Sequence, residues 1–142
     1  MDIDNTKKIR YVSGMKYQLV EPVLINTGII PDTPGRILHL GISESGLLNI
    51  DAGYSWDGPS GPTFDTHTFM RGALIHDALY QLMRHKLIDI KHRKAIDDLL
   101  IVHCKEDGMS KVRRGWVYAA IRTFGKNSAK AKNKMKIIVS PK

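Results

Sequence analysis

A glycine- and proline-rich segment at residues 53–62 constrains the fold more than any other part of this chain. Its sequence, Gly-Tyr-Ser-Trp-Asp-Gly-Pro-Ser-Gly-Pro, cannot continue a helix or a strand, because glycine and proline interrupt both. Strand-like composition precedes this segment, and apolar residues at helical spacing follow it. We therefore predict an α+β fold, with a small antiparallel β-sheet from the N-terminal half packed against three C-terminal helices.

The N-terminal half contains three stretches with the composition of β-strands. Residues 17–25 form the first stretch, and Pro22 within it suits an edge strand or a bend. Residues 36–42 and 46–51 form the other two. Because a short polar segment separates them, we predict that they form a hairpin with Gly46 at its turn.

Three helices are predicted after the glycine- and proline-rich segment, each preceded by a residue suited to cap it. They run from about Thr68 to Arg84 after Asp65 or Thr66, from Asp89 to before Gly108, and from Ser110 to Gly125. One face of the third helix is apolar, which predicts that it belongs to the core. This face contains Val112, Trp116, Ala119, Ala120 and Phe124. Beyond it, we expect a helical or loose segment at 127–136 and then an edge strand at 137–139.

The 142 residues are expected to form a single domain. It comprises a β-rich part and loop at 1–62, a helical part at 63–125 and a basic tail at 126–142. The net charge of +8 is uneven, since residues 105–142 carry eleven Lys or Arg against two acidic residues. This asymmetry predicts an anionic partner, either nucleic acid or a lipid surface, and a solubilising tail is the open alternative.

The cysteine content and the absence of familiar motifs exclude several classes. Cys104 is the single cysteine, so no internal disulfide can form. No leader pattern or long apolar run occurs at the N-terminus, and we expect folding in a reducing cytoplasm without a membrane span. The sequence has no Walker loop, nucleophile elbow, zinc-finger spacing or dinucleotide fingerprint.

The candidate site consists of His76 and Tyr80 in the first predicted helix and Asp97 in the second. In an antiparallel helix pair, residues equally distant in sequence from the link lie opposite each other. The sequence midpoint between His76 and Asp97 falls in the predicted link at residues 85–88, so the two side chains should face each other. At about 100° per residue, Asp97 points inward and Asp98 falls on a solvated face that bears lysines. Asp97 is therefore the better candidate partner for His76.

A histidine and a carboxylate in this arrangement can activate water. If Asp97 accepts a hydrogen bond from one imidazole nitrogen of His76, the other nitrogen remains as a general base. Asp77 points about 100° away from His76. It is a candidate calcium ligand, together with Asp57 and carbonyl oxygens of residues 56–61. The alternatives are a structural histidine and a buried carboxylate bonded to loop amides.

Four short motifs between residues 53 and 125 resemble a phage- and prophage-associated family of unknown function (domain of unknown function 1353). They are Asp57-Gly-Pro-Ser-Gly-Pro62, His76-Asp-Ala-Leu-Tyr80, Arg93-Lys-Ala-Ile-Asp97 and Tyr118-Ala-Ala-Ile-Arg122. The chain departs from the family pattern at Gly58, at Ile96 and in its longer lysine-rich tail. The resemblance implies a phage protein made in the host cytoplasm, with virion association and other phage proteins as partners.

The same helix pair is similar to the core of phospholipase A2 enzymes. This resemblance implies that His76 is the base, Asp97 its orienting carboxylate, Asp77 a calcium ligand and Tyr80 a hydrogen-bonding support. The cysteines that flank the phospholipase motif are absent, and their places are taken by Gly72, Ala73 and Leu79.

Three functions follow as hypotheses from these patterns. The first is an ester hydrolase that uses the His76–Asp97 dyad on lipid or cell envelope. The second is a non-enzymatic virion or morphogenesis component in which the polar cluster fixes helix packing. The third is a basic nucleic-acid-binding protein in which Arg113, Arg114 and the later lysines contact phosphate.

Overall fold

The computed structural model describes residues 9, 11–12, 17–56 and 67–129, with only the backbone of 11–12 and 127–128. It has the predicted α+β architecture. The strands are β1 (Tyr11–Val12), β2 (Tyr17–Leu19), β3 (Val23–Asn26), β4 (Gly35–Ile37), β5 (Leu40–Ile42), β6 (Leu47–Ile50) and β7 (Ser55–Trp56). The helices are α1 (His67–Arg84), α2 (Arg93–Glu106) and α3 (Lys111–Ser128), with a 3₁₀ turn at Ile90–His92.

Two small antiparallel sheets occur in place of the single predicted sheet. Their strand orders are β1-β2-β7 and β3-β6-β5-β4. The predicted strand at 17–25 is divided by a bend at residues 20–22, so β2 and β3 belong to different sheets. The predicted strand at 36–42 is also two strands, β4 and β5, which are joined by a turn at Leu38 and His39.

The hairpin predicted between residues 36 and 51 is confirmed by the antiparallel pairing of β5 with β6. Its turn contains Gly46, whose φ of 86° lies in the left-handed region. A Cβ atom at this position would lie 2.6 Å from the carbonyl oxygen of Ile29. Both the backbone conformation and the close approach therefore require glycine.

A short turn connects α1 to α2, as predicted. Lys86, just after α1, has a φ of 66°, and the N–H of Leu87 donates to the carbonyl oxygen of Leu82 at 3.0 Å. The 3₁₀ turn that precedes α2 is capped by Asp89, whose Oδ1 accepts from the N–H of Lys91 at 2.8 Å. These contacts satisfy backbone groups at the helix ends and fix where α2 begins.

Two apolar clusters hold the elements together. The larger cluster joins strand residues such as Leu48 to buried residues of α1, including Leu74 and Leu79. The smaller cluster joins the helices and contains Phe69, Leu100, Cys104, Met109 and Val117. Val117 of α3 belongs to this second cluster, so α3 packs against the other helices. Within the described ranges, no helix is long and apolar enough to cross a membrane.

The prediction that one face of α3 belongs to the core is wrong. Its three large side chains are mostly exposed: Val112 by 85%, Trp116 by 55% and Phe124 by 76%. Ala119 is exposed as well, and Ala120 is half-buried. The helix packs instead through the side that carries Val117, which is buried. It also continues beyond its predicted end at Gly125.

Three predicted features lie outside the described residues. They are the caps of α1 at Asp65 or Thr66, the part of the predicted 127–136 segment after residue 129, and the edge strand at 137–139. The predicted cap of α3 is confirmed, because Oγ of Ser110 accepts from the N–H of Arg113 at 3.3 Å.

Candidate functional site

The packing of α1 against α2 brings His76 opposite Asp97. Gly72, one turn before His76, lies against Leu100, one turn after Asp97, so the helices run antiparallel. A Cβ atom on Gly72 would lie only 2.9 Å from Cδ1 of Leu100. The absence of a side chain at Gly72 therefore allows the close approach of the two helices. The prediction that His76 and Asp97 lie opposite each other along the two helices is confirmed.

Asp97 lies at the centre of a polar cluster, and its side chain has 0% exposure. Its Oδ1 accepts from Nε2 of His76 at 2.8 Å and from the hydroxyl of Tyr80 at 2.7 Å. Its Oδ2 accepts from Nη1 of Arg122 at 2.7 Å. One carboxylate oxygen therefore accepts hydrogen bonds from side chains of α1, and the other accepts from a side chain of α3.

Arg93 connects the cluster to the backbone of α3. Its Nε donates to the hydroxyl of Tyr80 at 3.1 Å and lies 3.8 Å from Oδ2 of Asp97. Its Nη2 donates to the carbonyl oxygens of Ile121 and Arg122 at 3.0 and 2.8 Å. The Tyr80 hydroxyl thus accepts from Arg93 and donates to Asp97, which fixes the direction of its proton.

The backbone of α3 comes closest to the cluster at Gly125. A Cβ atom on Gly125 would lie 2.7 Å from the hydroxyl oxygen of Tyr80 and 3.4 Å from Nη2 of Arg93. Any larger residue would therefore press on the hydroxyl that bonds Asp97. The glycine that was predicted to end the helix instead makes room for the polar cluster inside it.

Hydrogen bonds set the charge of Asp97. Burial alone would raise its pKa, but the hydrogen bonds from His76, Tyr80 and Arg122 outweigh burial and hold the pKa below its ordinary value. Burial raises the pKa of Tyr80, and the hydrogen bond to Asp97 adds to that shift. At neutral pH, Asp97 is consequently ionised and Tyr80 is a neutral donor.

His76 presents one ring nitrogen to this carboxylate and keeps the other available. Because ionised Asp97 can only accept, Nε2 of a neutral His76 carries the proton and Nδ1 carries the lone pair. No residue in the described part of the chain forms a hydrogen bond with Nδ1. The His76 side chain is 14% exposed, and its ring centroid lies 4.2 Å from that of Tyr80.

Asp98 has a different environment from Asp97. Its side chain is 46% exposed and accepts from Nζ of Lys94 at 2.9 Å. Lys94 lies one turn earlier on the same helix face, as expected for a solvated ion pair. The prediction that Asp97 rather than Asp98 bonds His76 is confirmed.

The calcium prediction falls only partly on described residues. Oδ2 of Asp77 accepts from the hydroxyl of Tyr54 at 2.5 Å, and the same hydroxyl lies 3.0 Å from Oε1 of Gln81. Asp57 and the loop carbonyls after Trp56 lie outside the described residues. Among residues that are described, no group of three or more His, Cys, Asp or Glu is placed to hold a metal. Calcium binding at Asp77 remains a prediction.

Two arginines of the cluster received no role in the predicted dyad. Arg93 stands four residues before Asp97, a spacing that places two side chains on one helix face and so signals an ion pair. Arg122 ends the Tyr118-Ala-Ala-Ile-Arg122 motif, but only the packing of α3 shows that it reaches Asp97. Cys104 takes no part, since burial raises the pKa of its thiol to about 12 and keeps it protonated.

Comparisons of the chain with protein-family models, with curated proteins and with solved structures found no match. The chemistry of the Asp97 cluster is therefore the basis for a proposed function.

Proposed function

We propose that this protein is a phage-associated hydrolase-like protein, with His76 as general base and Asp97 as its positioning carboxylate. The observation that carries the proposal is the 2.8 Å bond between Nε2 of His76 and Oδ1 of Asp97. It leaves Nδ1 with a lone pair on a ring that is partly exposed. A buried carboxylate with charged partners is otherwise a costly way to hold two helices together.

The proposed reaction is the addition of water to an ester carbonyl. Nδ1 of His76 takes a proton from water while the water oxygen bonds to the carbonyl carbon. The imidazolium that forms is stabilised by Asp97 through Nε2, and it then returns the proton to the leaving alkoxide. Tyr80 acts as a positioning residue, because its hydroxyl bonds Asp97 rather than His76.

The substrate class follows from the resemblance to phospholipase A2 and to phage proteins. Both support an ester in a lipid or in the cell envelope. Calcium is part of the same proposal, with Asp77 and Asp57 as its ligands. A bound cation there would polarise a carbonyl oxygen as a Lewis acid.

The test compares His76→Gln with a matched histidine variant. His92 also lies near a carboxylate, with Nε2 at 3.5 Å from Oδ2 of Asp32, but it is separate from the Asp97 cluster. Turnover of phospholipid and of short-chain esters should fall on the order of 100-fold or more in His76→Gln, because base catalysis contributes that much. His92→Gln should retain turnover, and both variants should keep the circular dichroism spectrum of the wild type.

The rival explanation is a non-enzymatic virion or morphogenesis component. On that explanation the wild type hydrolyses no ester in the panel, and His76→Gln alters only stability or particle assembly. Equal turnover in the wild type and in His76→Gln would also contradict the proposed base. Either result would leave the Asp97 cluster with a packing role only.

An anionic partner is a second proposal, supported by the charge of α3. The helix contains five Lys or Arg residues and no acidic residue. Nucleic acid and lipid surfaces both match this charge. Contacts with phosphate groups should weaken steeply as salt increases.

A further inference from the structure

α3 has large apolar residues around more than half of its circumference, and only some of them are packed. Val117 is 1% exposed and belongs to the cluster between the helices. Val112, Trp116 and Phe124 are 85%, 55% and 76% exposed. A surface helix of a globular domain ordinarily carries a single apolar stripe, so this second one needs an explanation.

The exposed residues form an elongated surface, which we call the outer face of α3. Val112 and Trp116 are one turn apart, and the exposed Phe124 lies two turns beyond Trp116 and about 80° further around the helix. From Val112 to Phe124 the helix rises roughly 18 Å. Gly115 and Ala119, which lie on this side as well, are also exposed.

The exposed cations of α3 are at its two ends. Lys111 and Lys126 are exposed, whereas the three arginines of the helix are partly buried. Arg114 donates to the carbonyl oxygen of Met109 at 2.8 Å, and Arg122 bonds Asp97. The chain after Lys126 adds five lysines and no acidic residue. The outer face is therefore an apolar strip on a helix that has an exposed lysine at each end.

We propose that the outer face of α3 docks on the surface of an anionic lipid bilayer, with the helix parallel to the membrane plane. Val112 and Phe124 would enter the acyl boundary, and the indole of Trp116 would lie at the headgroup level. Lys111 and Lys126 would extend to lipid phosphates while their methylene stems remain in apolar contact. This surface rests on the proposal of an anionic partner and names that partner, and it does not require catalysis.

Charge and apolarity together favour a bilayer over a nucleic acid. A nucleic acid would pair with the lysines and could stack on Trp116. However, its phosphates offer no apolar surface to Val112 and Phe124. An anionic bilayer matches both features, because headgroups attract lysine and the acyl boundary accepts apolar side chains.

The experiment measures binding of the full chain to vesicles of ether-linked phosphatidylcholine with or without ether-linked phosphatidylglycerol. Ether lipids contain no ester, so binding is separated from the proposed hydrolysis. The test variant is Trp116→Ser with Phe124→Ser. The control is Ile30→Ser with Leu38→Ser, which removes two side chains that are 53% and 59% exposed elsewhere.

We expect the wild type and the control to sediment with anionic vesicles and only weakly with neutral ones. The test variant should bind anionic vesicles at least about tenfold more weakly, since one buried apolar side chain is worth more than that factor. Its thermal midpoint should stay near that of the wild type, because both replaced side chains are exposed.

Three results would overturn the docking surface. The first is equal vesicle binding by test and control variants, which would assign any affinity to the lysines alone. The second is weakened binding of the test variant to duplex or single-stranded DNA with unchanged vesicle binding, which would indicate a nucleic-acid partner. The third is a wild type that does not bind anionic vesicles, including one that self-associates through this face.

Discussion

Replacing Asp97 by alanine should destabilise the fold far more than the same change at Asp98. The two residues are adjacent on α2 and carry the same charge, but their side chains are 0% and 46% exposed. Asp97 accepts hydrogen bonds from three side chains on two other helices. Asp98 forms an ion pair with Lys94, whose side chain is 67% exposed.

The expected loss in the free energy of unfolding follows from the polar groups that Asp97→Ala leaves without their partner. Removing one partner of a buried ion pair typically costs about 3–5 kcal/mol. The hydroxyl of Tyr80 is enclosed, whereas Arg122 is 33% exposed and can regain water. Arg93 keeps its two backbone carbonyls. We therefore expect a loss of about 3–4 kcal/mol at Asp97, against about 1 kcal/mol or less at Asp98.

Urea denaturation followed by circular dichroism measures both losses in the free energy of unfolding. Thermal denaturation gives a second measure. For a domain of this size, each kcal/mol lowers the melting temperature by about 3 °C, so Asp97→Ala should melt about 10 °C below the wild type. The slopes against urea should agree among the three proteins, so that the midpoints compare stability. Equal losses at the two positions, or a larger loss at Asp98, would refute the reasoning from burial.

The remaining predictions concern pH, helix packing and calcium. The free energy of unfolding of the wild type should exceed that of Asp97→Asn by its full amount above about pH 4. This difference should shrink as pH falls through the lowered pKa of Asp97, and a difference that persists in acid would contradict the prediction. Gly125→Ala should destabilise by about 1–3 kcal/mol in urea melts because its Cβ meets Tyr80. At Gly115 an added Cβ would meet no atom of the described residues within 4 Å, apart from its chain neighbours and the adjacent helix backbone. Gly115→Ala should therefore stabilise by up to about 1 kcal/mol, and the same sign at both glycines would argue against the close approach. Added calcium should raise the melting temperature of the wild type but not of Asp77→Asn, and no rise in the wild type would exclude the calcium site.

The His76–Asp97 contact could be predicted because the regular geometry of two helices and the short link between them determine it. Once both segments are helical and the link between them is short, the sequence position of each residue determines its height along the helix pair. The 100° rotation per residue then determines the direction of its side chain. This rotation does not predict the direction where the helix is irregular. By helical phase Ile90, seven residues before Asp97, would share its inward face, but Ile90 is 43% exposed, because it lies in the 3₁₀ turn before α2.

The strand breaks and the exposed side of α3 could not be predicted in the same way. His39 has a φ of 66°, a conformation that a sequence signals clearly through glycine and only weakly through histidine. Pro22 indicates a bend, but long-range pairing decides that β2 and β3 enter different sheets. On α3, periodicity identifies Val112 and Trp116 as one apolar side without showing that the helix packs through Val117.

The two oxygens of Asp97 join helix packing and histidine orientation in one interaction. Oδ1 holds His76 and Tyr80 on α1, and Oδ2 holds Arg122 on α3. A variant of Asp97 therefore changes stability and the proposed chemistry together, and lost activity there would not separate them. His76 lies at the edge of the cluster, and glutamine retains an N–H donor for Asp97 while removing the basic nitrogen. His76→Gln therefore separates a general base from a packing residue better than any change at Asp97.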